Sequence, residues 1–224
     1  MGEVHAATEE YLETILELEE EGVAPIRARL AERLGVSAAS VSEAVRRLVD
    51  QGYVEGGEER ELRLTGNGRR LATSVVRRHR LAERLLVDVI GLEWEKVHRE
   101  AARWEHAISA EVEEKLVALL GDPATCPHGN PIPGTRRAAD RRDVALLAQV
   151  PPGPVTVTRI SEQLELDEEA LVFLARSRLI PGCTANVVGA APEGGVSVAT
   201  PAGEVVVPVA VTRQMWVSPR PPPG

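Results

Sequence analysis

Pro25 to Leu34, the turn Gly35-Val36-Ser37 and the run Ala38 to Asp50 leave this chain little conformational choice. Apolar residues recur at helical intervals on both flanks, with Val41, Val45, Leu48 and Val49 on one face of the second, and the short turn between them holds a glycine. Two short helices joined in this way form a helix-turn-helix. Ser37 is placed to cap the second helix, and the small residues at its start permit close approach to a DNA groove. Tyr53 to Glu55 and Glu61 to Thr65 read as two strands around Gly56-Gly57, a hairpin that makes the unit winged. The expected DNA-facing residues are Arg27, Ser37, Ala39, Ser40, Ser42, Glu43, Arg46, Arg47 and, on the wing, Arg60. Hydroxyls, helix N-terminal amides and arginines suit phosphates, whereas base readout looks sparse because few side chains here are long and amide-bearing. A winged helix used only for protein contacts is the alternative.

A formal net charge of −8 counts against nucleic acid until it is divided by segment. Residues 1–24 hold eight acids and no Lys or Arg, residues 25–84 hold thirteen Arg against eight acids, and the remainder carries thirteen basic against eighteen acidic side chains. A basic face therefore survives inside an acidic protein. No apolar run approaches 20 residues and no charged-then-apolar leader is visible, so neither a membrane span nor a secretory signal is expected and the default address is the cytoplasm. Cys126 and Cys183 are too far apart, with no second pair, for a disulfide scaffold or a thiolate zinc site.

Upstream, residues 7–21 place Tyr11, Leu12, Ile15, Leu16 and Leu18 at near-helical intervals, with Thr8 as the expected N-cap. The opposite stripe carries Glu10, Glu13, Glu17 and Glu20; like charges at such spacing are mildly unfavourable unless a cation sits among them. After Thr65-Gly66-Asn67-Gly68, one helix is expected from Arg69 to Ile90 and another from Glu93 to Leu120. His79 and Glu83 lie one turn apart, and residues 98, 102, 105 and 106 follow by near-turn steps on one face. One histidine is usually a satisfied surface or core residue. His79, Glu83, His98, Glu105 and His106 in phase on adjacent helices instead read as a divalent-metal site, and imidazole with carboxylate suits manganese, ferrous iron or zinc.

The runs "EYLETILELEEEGVAPIRARLAERLGVSAASVS", "RRHRLAERLLVDVIGLEWEKVHREAARWEHAIS" and "HGNPIPG" resemble, in this order, the diphtheria toxin repressor family of metal-dependent regulators over nearly the whole length. The resemblance implies a homodimer that binds a double-stranded palindromic operator when loaded with metal and controls metal-homeostasis genes. It implies a mainly α fold with small β elements: a winged helix-turn-helix DNA-binding domain over 1–73, a helical metal-binding and dimerisation domain over 74–140, a linker over 141–153 and an SH3-like β-barrel over 154–218. It also divides the ligands. The primary site takes Glu10, Glu13, Glu105 and His106; the ancillary site takes His79, Glu83, His98, Glu162 and Glu165, with Glu165 standing where the family has Gln. Iron-responsive members carry Met at the position of Glu10 and usually Cys at that of Ala102, and both sulfurs are missing here. Manganese-responsive members have acids at the positions of Glu10 and Glu13 but also Glu at position 102. Harder donors favour Mn(II) as the cofactor over Fe(II), with Co, Ni, Zn or Cd as substitutes in vitro.

"GDPATCPHGNPIPG" is too rich in Pro and Gly to continue a helix, and its Cys126-Pro127-His128 reads as plain loop sequence. From Val155 onward, "TVTRI", "CTANVVGA", "GVSVAT" and "EVVVPVAV" are short β-rich runs around a helix near Glu168 to Arg176, consistent with a small barrel; the tail "PRPPPG" is expected to be disordered. A different class stays open: paired His and Glu on helices also build di-metal enzymes, although no nucleophile or phosphate loop accompanies them here. A metal-storage protein is a third reading.

Overall fold

A computed structural model describes residues 6–56, 61–136 and 144–219; Arg60 and most of the Pro-rich tail lie outside the described residues. The chain forms two compact units, one from the residues up to His79 with Glu105–Ile108, the other from Arg80–Trp104 with the chain from Ser109 onward. Among the described residues, no helix is long and apolar enough to cross a membrane.

The first unit holds helices α1 (Ala6–Glu21), α2 (Arg27–Leu34) and α3 (Ala38–Asp50), strands β1 (Val54–Glu55) and β2 (Arg63–Leu64), and the start of α4 (Gly66–Leu85). α2 stops because Gly35 takes the left-handed conformation (φ 63°) and returns its N–H to Ala31, and α3 starts because the Ser37 hydroxyl accepts from the Ser40 amide. The turn between them is therefore set by the chain's own caps. Tyr11, Leu12 and Ile15 of α1, Leu30 of α2, Val41, Val45 and Leu48 of α3, and Val76 of α4 share one core. Each fully buried Leu or Val in it contributes roughly 1.5–3 kcal/mol.

Two boundaries differ from the sequence expectation. α1 begins at Ala6, so Thr8 lies in its first turn instead of capping it. α4 begins at Gly66 despite two glycines, because Thr65 accepts from the Gly68 amide and holds the Gly52 carbonyl, so that the wing and the helix share one capping residue. A Cβ at Gly68 would overlap the Tyr53 carbonyl oxygen, which is why glycine stands where the hairpin meets the helix.

In the second unit α4 ends in a wide turn, Leu86–Ile90, closed by Gly91 (φ 78°). A 3-10 turn at Trp94–Lys96 leads into α5 (Val97–Trp104), and α6 (Ala110–Leu120) follows. The single helix expected from Glu93 to Leu120 is thus interrupted. Ser109 caps α6 by accepting from the Val112 amide, and the intervening Glu105–Ile108 belongs to the first unit.

The rest of this unit comprises β3 (Ala145–Leu146), β4 (Gly153–Ile160), the short helices α7 (Glu162–Glu165) and α8 (Glu168–Arg176), β5 (Thr184–Ala190), β6 (Val196–Thr200), β7 (Gly203–Val207), α9 (Val209–Thr212) and β8 (Met215–Ser218). Its strands form an antiparallel sheet in the order β3-β8-β4-β5-β6-β7, with register shifts at Val157/Arg159 and Val187/Gly189 that bend it. Val155, Val157, Val187, Val198, Val207 and Val217 line its core with Leu171 and Leu174 of α8. Part of the expected linker joins this sheet, because Ala145 and Leu146 pair with β8 and Leu147 is buried in the core. The Pro/Gly loop docks on β4: the Ile160 amide donates to His128 O at 3.0 Å, and a Cβ at Gly129 would overlap the Thr158 carbonyl oxygen.

Candidate metal centres

Within the first unit, α1 buries Glu9, Glu13 and Glu17, and the Glu21 carboxyl is also largely covered. These four succeed each other at i, i+4 and so share one side of the helix. Arg33 of α2 answers two of them, 3.7 Å from Glu17 and 2.7 Å from Glu21. Glu9 meets Arg78 at 3.2 Å and His106 Nδ1 at 2.6 Å. Glu13 converges with His79 and Glu105, one donor atom from each lying within 4.8 Å of the others. His79 Nδ1 is 2.5 Å from Glu105 Oε2, and His106 Nε2 is 3.2 Å from Glu105 Oε1.

This donor set fits a divalent ion. Metal–donor bonds of about 2.0–2.2 Å put neighbouring donor atoms roughly 3–4.4 Å apart, and two carboxylates with two imidazoles offer oxygen and nitrogen only. Of the expected primary residues, the structure brings Glu13, Glu105 and His106 together with His79, and leaves Glu10 exposed. Ala102 belongs to the second unit, where it borders a cleft of about 260 Å³ beside His98, Arg99 and Glu165. Glu9 was missed in the sequence. An i−4 step from Glu13 was the available signal.

The second unit holds a second cluster. His98 Nδ1 lies 3.1 Å from Glu165, 3.5 Å from Glu83 and 3.9 Å from Glu162, and His128 Nδ1 lies 3.0 Å from Glu83 and 2.8 Å from Glu165. Cys126 completes a donor group with Glu83 and His128. Around them, Arg80 donates to Glu162 at 2.8 Å and to the Pro131 carbonyl at 2.6 Å, Asn130 donates to Glu165 at 2.7 Å, and the Trp94 ring packs 4.6 Å from that of His128. Glu83, His98, Glu162 and Glu165 are residues expected from the sequence, whereas His128 and Cys126 read there as plain loop. A Cys and a His two apart in a Pro/Gly-rich loop was their only sequence signal.

Burial by itself would push the His128 imidazole down, but the facing carboxylates of Glu165 and Glu83 outweigh it and hold it well above its ordinary 6.5. Burial, then the charge of Glu162, raises the Glu165 carboxyl, and burial, then Glu83, pushes the Cys126 thiol up to about 12. Raised values for His128 and Glu165 mean that the metal-free fold gains from their protons below the ordinary values and loses that gain as pH rises through the raised ones. A divalent ion must displace such protons. The affinity of this centre for Mn(II) is therefore expected to climb with pH through neutrality, by up to about tenfold per unit for each proton displaced, while the melting temperature in chelator falls. Titration calorimetry in buffers of different ionisation enthalpy, beside thermal scans, checks both signs; pH-independent affinity would contradict the proton-loaded cluster.

On the helix-turn-helix, Ser37, Ala39, Ser40, Glu43, Arg46 and Arg47 are exposed along one flank of α3, with Arg27 and Ser42 half-buried. Glu43 and Arg47 pair along the helix at 2.8 Å.

Residues 3–62 match the family described as iron dependent repressor, N-terminal DNA binding domain, and residues 65–134 match iron dependent repressor, metal binding and dimerisation domain. The chain is 44% identical over 216 residues to the iron-dependent repressor IdeR of Mycobacterium tuberculosis, covering 92% of this chain and 94% of that one. It is 44% identical over 189 residues to the diphtheria toxin repressor of Corynebacterium diphtheriae, covering 81% and 84%. Among solved structures, a manganese-dependent transcriptional repressor in complex with manganese superposes with a TM-score of 0.83 at 34% identity, over 95% of this chain and 100% of that one. The manganese regulator SloR superposes with a TM-score of 0.76 at 28% identity, over 95% and 98%. A winged helix-turn-helix sharing its unit with a carboxylate–imidazole cluster defines a metal-responsive DNA-binding protein. The chain belongs to the iron-dependent, or diphtheria toxin, repressor family: it is a divalent-metal-dependent DNA-binding repressor that dimerises.

Proposed function

We propose that this chain is a Mn(II)-activated repressor that binds a palindromic operator as a homodimer and governs genes of metal uptake or storage. The observation that carries the reading is the first cluster, in which Glu13, His79, Glu105 and His106 offer only oxygen and nitrogen. Donors without sulfur favour the harder Mn(II), and His79 supplies the fourth side chain that Ala102 does not. A divalent ion brings there two positive charges among converging carboxylates. Glu13 then ties α1 to α4 and to Glu105, and α1 packs Tyr11, Leu12 and Ile15 against the same core as Leu30, Val41 and Val45 of the helix-turn-helix. Holding α1 in one position fixes the attitude of α3, so the ion acts through its preference for the DNA-competent state.

Val89, Ile90, Val112 and Leu119, each at least 47% exposed on the segment that matches the dimerisation domain, are the apolar residues a second copy would cover. A two-fold dimer of winged helices reads two half-sites, hence a palindrome. The second cluster adds Glu83, His98, Cys126, His128, Glu162 and Glu165 as an ancillary centre. Fe(II) is the competing effector, favoured by the 44% identity to the iron-dependent repressor of Mycobacterium tuberculosis.

The test is operator binding to a fragment of the chain's own promoter, run anaerobically with Mn(II), Fe(II), Co(II), Ni(II), Zn(II), Cd(II) or chelator. Mn(II) is expected to give tight binding at the lowest free concentration. Response to Fe(II) alone would replace the manganese reading, and binding undiminished by chelator would refute metal activation.

A further inference from the structure

Glu9 and Glu10 are adjacent carboxylates on α1, and the fold treats them oppositely: Glu10 is exposed, Glu9 only 8% so. Both oxygens of Glu9 are engaged, Oε1 by Arg78 Nη2 at 3.2 Å and Oε2 by His106 Nδ1 at 2.6 Å. We propose that Glu9 is the positioning residue of the first metal centre: its carboxylate takes the Nδ1 hydrogen of His106 and leaves Nε2, which faces Glu105, as the nitrogen that binds the ion. The proposal rests on the reading above, in which Glu13, His79, Glu105 and His106 hold the metal.

The chemistry follows from what each group can do. Both ring nitrogens face a carboxylate and a neutral imidazole has one hydrogen to give; the 2.6 Å contact of Nδ1 with Glu9 is closer than the 3.2 Å approach of Nε2 to Glu105, so the hydrogen sits on Nδ1 and the lone pair on Nε2. That lone pair lies on the Glu105 side, 3.2 Å from Oε1. Packing alone does not orient the ring, since the His106 side chain is 28% exposed and follows the end of α5 instead of sitting within a helix. The hydrogen bond from Glu9 supplies the constraint, and Arg78 on α4 anchors Glu9 in turn. Carboxylate–histidine–metal arrangements of this kind fix the tautomer, aim the ring and raise its basicity; losing the outer carboxylate typically costs 10–100-fold in metal affinity. Glu9 is not itself a ligand, because its two oxygens are already committed to Arg78 and His106.

The experiment compares Glu9→Ala, Glu9→Gln, Glu10→Gln and His106→Ala in the full-length protein. Mn(II) affinity is read by competition with a chelating dye, and the His106 tautomer by two-bond 15N–1H correlation in the metal-free protein. Glu9→Ala is expected to weaken Mn(II) binding by about 10–100-fold and to release His106 into mixed tautomers. Glu9→Gln, which keeps an acceptor oxygen, should retain the Nδ1–H tautomer with a smaller loss of affinity, and Glu10→Gln should change neither readout. An unchanged tautomer and affinity in Glu9→Ala overturns the proposal, as does a loss confined to Glu10→Gln. Should His106→Ala leave Mn(II) affinity intact, the assignment of the centre itself fails, while the tautomer measurement still reports independently on the contact between Glu9 and His106.

Discussion

Glu105→Ala is expected to abolish the response of operator binding to divalent ions. Glu105 faces His79 through one carboxylate oxygen and His106 through the other, so its removal takes the shared donor out of the centre and leaves the imidazoles without their common partner. Coupling between an effector and a second ligand typically amounts to 5–150-fold in affinity, about 1–3 kcal/mol, and that whole factor should vanish. Fluorescence anisotropy with an operator duplex, with Mn(II) and with chelator, measures the ratio, and sedimentation should show the dimer intact. A variant that still tightens on the operator when Mn(II) is added would show that the ion acts elsewhere, and the second cluster would be the place to look.

Arg80→Met carries the second large effect, on stability. Arg80 is 1% exposed and meets Glu162, itself 4% exposed, at 2.8 Å, so deleting the guanidinium removes the nearest positive charge from a buried carboxylate beside Glu83 and Glu165. Breaking one side of a buried ion pair costs about 3–5 kcal/mol. For a domain of this size that corresponds to a fall of roughly 6–20 °C in melting temperature. The loss should be largest in chelator and partly reversed by Mn(II), since a cation among the same carboxylates restores positive charge. Thermal scans in the two conditions decide it: an equal loss in both would mean that the second cluster binds no metal.

How much of this was legible beforehand differs by element. The helix-turn-helix could be read because its signals are local: Gly35 ends one helix, Ser37 begins the next, and the apolar period marks the buried face. The acidic stripe of α1 was visible, but its membership was not. Glu10, Glu13, Glu17 and Glu20 and the set Glu9, Glu13, Glu17 and Glu21 both satisfy a period near 3.6, and only packing turned the second set inward. The break at Glu105–Ser109 escaped because helix-forming residues stand on both sides, and Ser109 could be recognised as a cap only once the chain was seen to turn there. Cys126 and His128 gave almost no signal, since a Pro/Gly-rich loop has no periodicity from which direction can be read.

By itself the sequence determined the class of this protein: a winged helix-turn-helix, helices that carry imidazole and carboxylate in phase, and a β-rich C-terminal region that reads as a small barrel. Tertiary structure decided which donors meet. One residue along a helix is a turn of roughly 100°, so the choice between Glu9 and Glu10 lies within the tolerance of any sequence period and is made by the side chains opposite, Arg78 and His106. His128 reaches Glu83 across 45 residues of chain because a glycine at 129 lets the loop lie against β4, a convergence that no local propensity encodes.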